Sequence, residues 1–99
     1  MTRPAIALSI AGSDPSGGAG LQADLKTFSA LGVYGAAIPA ALTAQNTRGV
    51  TAMLALPGAF VAAQIQAILN DLPVDAVKLG MLQSAEVISA VADALAGAP

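Results

Sequence analysis

Between Gly12 and Asp24 the chain reads Gly-Ser-Asp-Pro-Ser-Gly-Gly-Ala-Gly-Leu-Gln-Ala-Asp, a turn-rich segment leading from an apolar run into a helical pattern. A glycine-rich turn between a strand and a helix start can cradle an anion or another ligand. Its backbone N–H groups point outward and the helix dipole favours negative charge. Gly12 and Gly17 have the separation of a P-loop, but Gly18 and Ala19 stand where that loop needs Lys and Ser/Thr. This is therefore not a P-loop. Gly18-Ala19-Gly20-Leu21-Gln22-Ala23 matches the dinucleotide pattern formally, yet its first glycine lies well past the strand end. No acidic residue occurs between Asp24 and Asp71, so the ribose-binding carboxylate is missing and the match is accidental. The plain alternative for the segment is a flexible strand–helix loop.

Three side chains outside the glycines could do chemistry. At about 100° per residue, Asp24 falls between Phe28 and Leu31 on the apolar face of the first helix. A carboxylate there must reach the ligand-binding end of a sheet or find a partner; a boundary aspartate held by the helix N-terminus is the alternative. Gln45 follows the second strand, and its amide donates and accepts together, as an aminopyrimidine-type edge requires. A surface-loop glutamine is the competing reading. Met81 follows the fourth strand at the end where open α/β sheets bind ligands, and its sulfur can contact a flat ring or fill the core. Lys26 lies on the polar helix face and is expected to be solvated.

Composition narrows the chemistry further. Ninety-nine residues suffice for one small domain, and alanine inflates the 56% hydrophobic share. There is no histidine to act as base or metal ligand, and no cysteine for a disulfide, a zinc site or a thiol nucleophile. One Tyr, two Phe and no Trp give no stacking platform for single-stranded nucleic acid. Four basic against six acidic residues, a net charge of −2, is the wrong sign for a phosphate-backbone partner. The apolar run over 5–12 is short for a signal sequence and Asp14-Pro15 follows it directly. A cytoplasmic protein with no membrane partner is expected.

The elements that would position these residues alternate regularly. Residues 5–11 form a continuous apolar run stopped by Gly12, which suits a strand covered on both faces. Leu21, Leu25, Phe28 and Leu31 recur at helical spacing, and Gly32 is placed to end that helix. Residues 34–44 read as a second strand, which Pro39 must bulge, shorten or place at an edge. Residues 50–56 are a third strand. After Pro57-Gly58 comes a helix with Val61, Ile65, Ile68, Leu69 and Leu72 on one stripe. Residues 75–79 are a fourth strand. Ser84 is a candidate N-cap with Glu86 in the first turn, and Val87, Ile88, Val91 and Leu95 form the last helix's inner stripe. Alternating strands and helices predict an α/β fold with a largely parallel sheet and no internal domain boundary. At Gly97-Ala98-Pro99 another strand would be due, so residues 1–99 read as the first part of a larger domain.

The eighteen-residue run from Ala11 to Phe28 closely resembles the opening of the hydroxymethylpyrimidine/phosphomethylpyrimidine kinases of thiamine biosynthesis, in the ribokinase-like superfamily. Ala41-Leu42-Thr43-Ala44-Gln45-Asn46-Thr47 and Val77-Lys78-Leu79-Gly80-Met81-Leu82 resemble that family's second and third signatures at matching spacing. The resemblance implies a three-layer α/β/α fold and phosphorylation of 4-amino-5-hydroxymethyl-2-methylpyrimidine and its monophosphate with ATP and Mg²⁺. Gln45 matches the position that hydrogen-bonds the pyrimidine, and Asp24 an acidic position of that pocket. Gly12 and Ala19 match wall positions, Met81 a ring contact, and Gly17-Gly18 a hinge-like turn. Family chains are more than twice this long and carry the catalytic base, anion hole and most of the nucleotide site later, so no catalytic or metal-binding residue is assigned. A homodimer is expected of the whole enzyme. Pro39 and Ala40 depart from the family's usual β-branched residues. A pyridoxal kinase, which shares this opening, and a non-catalytic ligand-binding remnant are the alternatives.

Overall fold

Strand β1 (Ile6–Gly12) is the inner strand from which the rest of the architecture follows. In the computed structural model, which describes residues 3–96, the sheet order is β3-β2-β1-β4. β1 pairs in parallel with both β2 (Tyr34–Asn46) and β4 (Ala76–Leu79), so it has no free edge, as its unbroken apolar run predicts. β3 (Gly49–Ala55) folds back antiparallel on β2. The sheet is mixed but mainly parallel. The expectation that residues 97–99 lead toward a further strand lies outside the described residues.

Alternation along β1 assigns the two faces. Ile6, Leu8 and Ile10, with Ile38 and Ala40 of β2, pack against Val61 and Ile65 of α2 (Gly58–Leu69) and Val87 and Val91 of α3 (Ala85–Leu95). Ala7, Ser9 and Ala11 point the other way, in register with Gly35, Ala37 and Pro39. These mostly small residues let α1 (Gly20–Ala30) lie close to the sheet. A Cβ on Gly35 would come within 2.9 Å of the Phe28 ring and 3.0 Å of Leu25. With one helix on one face and two on the other, the three-layer expectation holds.

Several local expectations are refined. Pro39 bulges β2 without shortening it: the register slips between Ala11↔Pro39 and Gly12↔Ala41, and the strand runs on to Asn46. β3 pairs with β2 only from Ala41 onward, past the proline. Gly32, at φ +73°, follows the C-cap as a C-terminal glycine should. Leu31 is itself the C-cap and is 73% exposed, so it does not belong to the buried stripe. Ile88 is 54% exposed for a different reason: one residue from Val87, it is turned about 100° off the core. Leu72 lies beyond the end of α2 but still packs on the core. Ser84 caps α3 by accepting from the Val87 N–H at 3.1 Å. Glu86 reaches further than expected and accepts from the Gly58 N–H, tying the starts of α2 and α3 together. No helix among the described residues is long and apolar enough to cross a membrane.

Asp75, expected inside the fourth strand, instead brackets its start. Its carboxylate accepts from the Ile6 N–H at 2.8 Å and from both Arg3 guanidinium nitrogens at 2.8 and 3.0 Å. The Arg3 hydrogen bonds, then the Ile6 amide, lower its pKa to about 2. The folded state therefore favours the ionised form, and the stabilisation is complete above the ordinary aspartate value of about 4. It is lost as pH falls through about 2. In the intact protein, the gap in urea midpoint between wild type and Asp75→Asn should be constant above about pH 5 and close steadily below it. A pH-independent gap would show that the bracket is not ionic.

Candidate functional site

The C-terminal ends of β1 and β4 and the far half of β2 open into a cavity of about 470 Å³. Its floor and near wall come from Ala11, Gly12, Ser13, Asp14, Ala19 and Gly20; Thr43, Gln45, Val50 and Met53 of the β2–β3 hairpin form a second wall. Lys78, Gly80, Met81 and Gln83, at and after the end of β4, close the third. Gly12, Ala19, Gln45 and Met81 are thus brought together by elements far apart in sequence. Asp24 is not among the lining residues.

The glycine-rich loop does not leave its amides pointing outward as expected. Asp14 is only 3% exposed and turns its carboxylate into the loop. Oδ1 accepts from the Ser16 N–H at 2.9 Å and its hydroxyl at 2.7 Å; Oδ2 accepts from the N–H groups of Gly18 at 3.1 Å and Ala19 at 2.8 Å. The anion in the cradle is the chain's own. The Ser16 hydroxyl, helped by the three amides, keeps the Asp14 pKa below the ordinary value despite burial. Gln22 clamps the other side, accepting from the Asp14 N–H at 2.7 Å and donating to the Ser13 hydroxyl at 2.9 Å. Lys26 is exposed, as expected, but its ammonium donates to the Gly17 carbonyl at 3.0 Å.

Two glycines let backbones meet at the cavity floor. Gly20 sits at φ +59°, and a Cβ there would lie 2.3 Å from the Gly12 carbonyl oxygen. On Gly80 a Cβ would lie 2.6 Å from that of Ala11. Gln83 has φ 77°, a left-handed conformation that is unusual for glutamine and often marks a functional wall. On the hairpin, the Thr43 hydroxyl donates to the Ser13 carbonyl and lies 3.0 Å from Gln45 Oε1, which places the amide beside the loop.

Asp24 found a partner. Its carboxylate, 14% exposed, lies on the α1 face of the sheet beneath the cavity, where both oxygens accept from Lys78 Nζ at 2.8 and 2.9 Å. The Ser9 hydroxyl donates to Oδ2 at 2.7 Å. Burial opposes its ionisation, but the Lys78 ammonium and the Ser9 hydroxyl outweigh it and hold the pKa below the ordinary value. The helix N-terminus alternative fails, because both Asp24 oxygens accept from Lys78 and one also from Ser9. Sequence reading passed over Asp14, Thr43, Lys78 and Gln83. For Asp14 a signal existed: Asp-Pro-Ser is an Asx-turn pattern placed just before a helix.

A profile of the family described as phosphomethylpyrimidine kinase matches residues 14–99. The chain is 64% identical over 91 residues to the hydroxymethylpyrimidine/phosphomethylpyrimidine kinase of Rhizobium meliloti (strain 1021), covering 92% of this chain and 34% of that protein. The crystal structure of phosphomethylpyrimidine kinase from Clostridium difficile 630 aligns with a TM-score of 0.90 at 50% identity, over 94% of this chain and 40% of that one. Pyridoxal kinase from Staphylococcus aureus in complex with AMP-PCP and pyridoxal aligns with a TM-score of 0.81 at 35% identity, over 96% of this chain and 36% of that one. The ribokinase-like fold is common to these neighbours and to this chain. The chain spans about a third of the length of the curated relatives it matches.

Proposed function

The chain belongs to the phosphomethylpyrimidine kinase family, and from that premise we propose that the protein carrying it phosphorylates 4-amino-5-hydroxymethyl-2-methylpyrimidine and then its monophosphate. ATP is the phosphoryl donor and Mg²⁺ its counter-ion. Residues 1–99 supply the pyrimidine-binding part of a single kinase domain. The strongest support is the convergence of Gln45, Met81, Gly12 and Ala19 on one cavity at the carboxyl ends of the strands. On this reading the Gln45 amide pairs with the ring nitrogen and the neighbouring amino group, Met81 covers the ring, and Gly12 and Ala19 bound it. Asp24 acts from behind, through Lys78.

Among the described residues no three acidic side chains converge to hold a metal ion, and the Asp14 carboxylate is taken up by the loop. These residues do not fit Mg²⁺, and their share of the chemistry is to bind and orient the acceptor ring. A cytoplasmic, homodimeric enzyme belongs to the same proposal.

In the intact protein, Gln45→Ala should weaken pyrimidine binding by about 10- to 100-fold, because a buried ring donor or acceptor loses its partner. ATP affinity should change far less. Wild type should also show a higher kcat/KM for the pyrimidine than for pyridoxal, whose phenolic oxygen replaces the amino group and leaves one amide partner unpaired. The higher identity to the pyrimidine kinases favours that order. Pyridoxal turnover equal to or above that of the pyrimidine would make the protein a pyridoxal kinase. Ligand binding without turnover of either would make it a non-catalytic remnant.

A further inference from the structure

Two charged side chains line the cavity, Asp14 and Lys78. Asp14 offers a ligand nothing, since both oxygens are filled by Ser16, Gly18 and Ala19. The charge left to meet a ligand from these residues is the Lys78 ammonium. Lys78 stands opposite Ser9 in the β1–β4 register and is 52% exposed, while its partner Asp24 is nearly covered. An ammonium has three N–H donors. Two go to the Asp24 oxygens, and Ser9 holds that carboxylate in place. One donor remains for whatever occupies the cavity.

We infer that Lys78, positioned by Asp24 and Ser9, is the group that lets one cavity accept both a neutral ring alcohol and its phosphate ester, donating its third N–H to the ester's phosphate. The inference rests on the pyrimidine-kinase reading, which requires both forms to bind in turn. A bare ammonium in the wall would suit the ester and penalise the alcohol, because a desolvated charge without a partner is costly. Pairing with Asp24 removes that penalty while the alcohol is bound. When the ester arrives, the same ammonium gives a charge-assisted hydrogen bond without a new cation being brought in. Asp24 is thus a positioning residue that also tempers the charge of Lys78.

The test is the ratio of dissociation constants, alcohol over ester, measured by calorimetry on the intact protein without nucleotide. Lys78→Met should lower that ratio at least about tenfold, the loss expected for a hydrogen bond to a charged group. Lys78→Arg, which keeps the charge, should stay much nearer wild type. Asp24→Asn should move the ratio the other way, since it keeps the shape of the brace and deletes the counter-charge. A structural brace alone would not give opposite signs. If Lys78→Met leaves the ratio unchanged, or Asp24→Asn shifts it in the same direction, the inference is overturned while the pyrimidine reading stands. If Lys78→Met fails to fold, the arginine and asparagine variants still decide the matter. Wild type that binds neither compound would overturn both.

Discussion

Gly20→Ala should be among the most damaging single-methyl changes in this chain, lowering stability by about 3 kcal/mol or more. Two effects add. Alanine at φ +59° is in the left-handed region, which costs a residue with a Cβ about 1–2 kcal/mol. The new methyl also lands 2.3 Å from the Gly12 carbonyl oxygen. That oxygen is backbone at the end of the central strand, so no rotamer change relieves the overlap. Either the end of β1 or the start of α1 must move, and both form the cavity floor. Gly32→Ala separates the two effects, because Gly32 has φ +73° but nothing within 4 Å of its would-be Cβ. It should show the left-handed cost alone. Urea unfolding of the two variants of the intact protein decides the point: equal losses would show that the contact with Gly12 is relieved at no cost.

Asp14→Ala should also be strongly damaging, and its effect should fall on the loop before the core. Removing the carboxylate leaves the N–H groups of Ser16, Gly18 and Ala19 without their acceptor. Orphaned amides cost more than the bonds they lost, so the loop must open to find water. Amide exchange at Gly18 and Ala19 should quicken by at least about tenfold, while the amides of Leu8 and Ile10 keep their protection. Pyrimidine affinity should fall with it, because Ala19 and Gly20 wall the cavity. Asp14→Asn should rescue only in part, since its amide nitrogen replaces one of two fully used acceptors. Unchanged exchange at Gly18 and Ala19 in the alanine variant would remove Asp14 from its assigned role.

The two positions also mark where sequence reading works and where it stops. Strand β1, the three helices and the Ser84 cap were legible because each depends on residues close in the chain: an unbroken apolar run, a helical stripe, a cap three residues from its donor. Asp14 is legible on the same terms, since its partners lie within five residues, but the glycines around it also fit a loop that holds an external anion, and composition alone does not say whose anion fills it. The Asp24–Lys78 pair is another matter. Fifty-four residues separate them, and only the parallel placement of β4 beside β1 brings them together. Periodicity put Asp24 on the buried helix face correctly but could not name what it met there. β3 reads as a strand from its composition, yet every residue in it is exposed, because it extends past the sheet as half of a hairpin. Nothing in its alternation distinguishes a strand that covers a core from one that forms a cavity wall.

The order of strands in the sheet has a consequence for how this chain comes to be folded. β1 precedes β2, β3 and β4 in the chain but lies second from the β4 edge, and its partners are made at very different times. β2 follows after one helix, and with β3 it forms a pairing that closes over a short loop. The other side of β1 pairs only with Ala76–Leu79. On a ribosome adding roughly 5–20 residues per second, that side of an apolar strand waits several seconds for its neighbour. During that wait Ile6, Leu8 and Ile10 also lack α3, whose Val87 and Val91 complete their cover. Such late, non-local closure is intrinsically slow and leaves a strand edge open to other chains. β1 is therefore synthesised before its partners but enclosed only once they have followed it, and until then the nascent chain is open to misassociation at residues that later form its core.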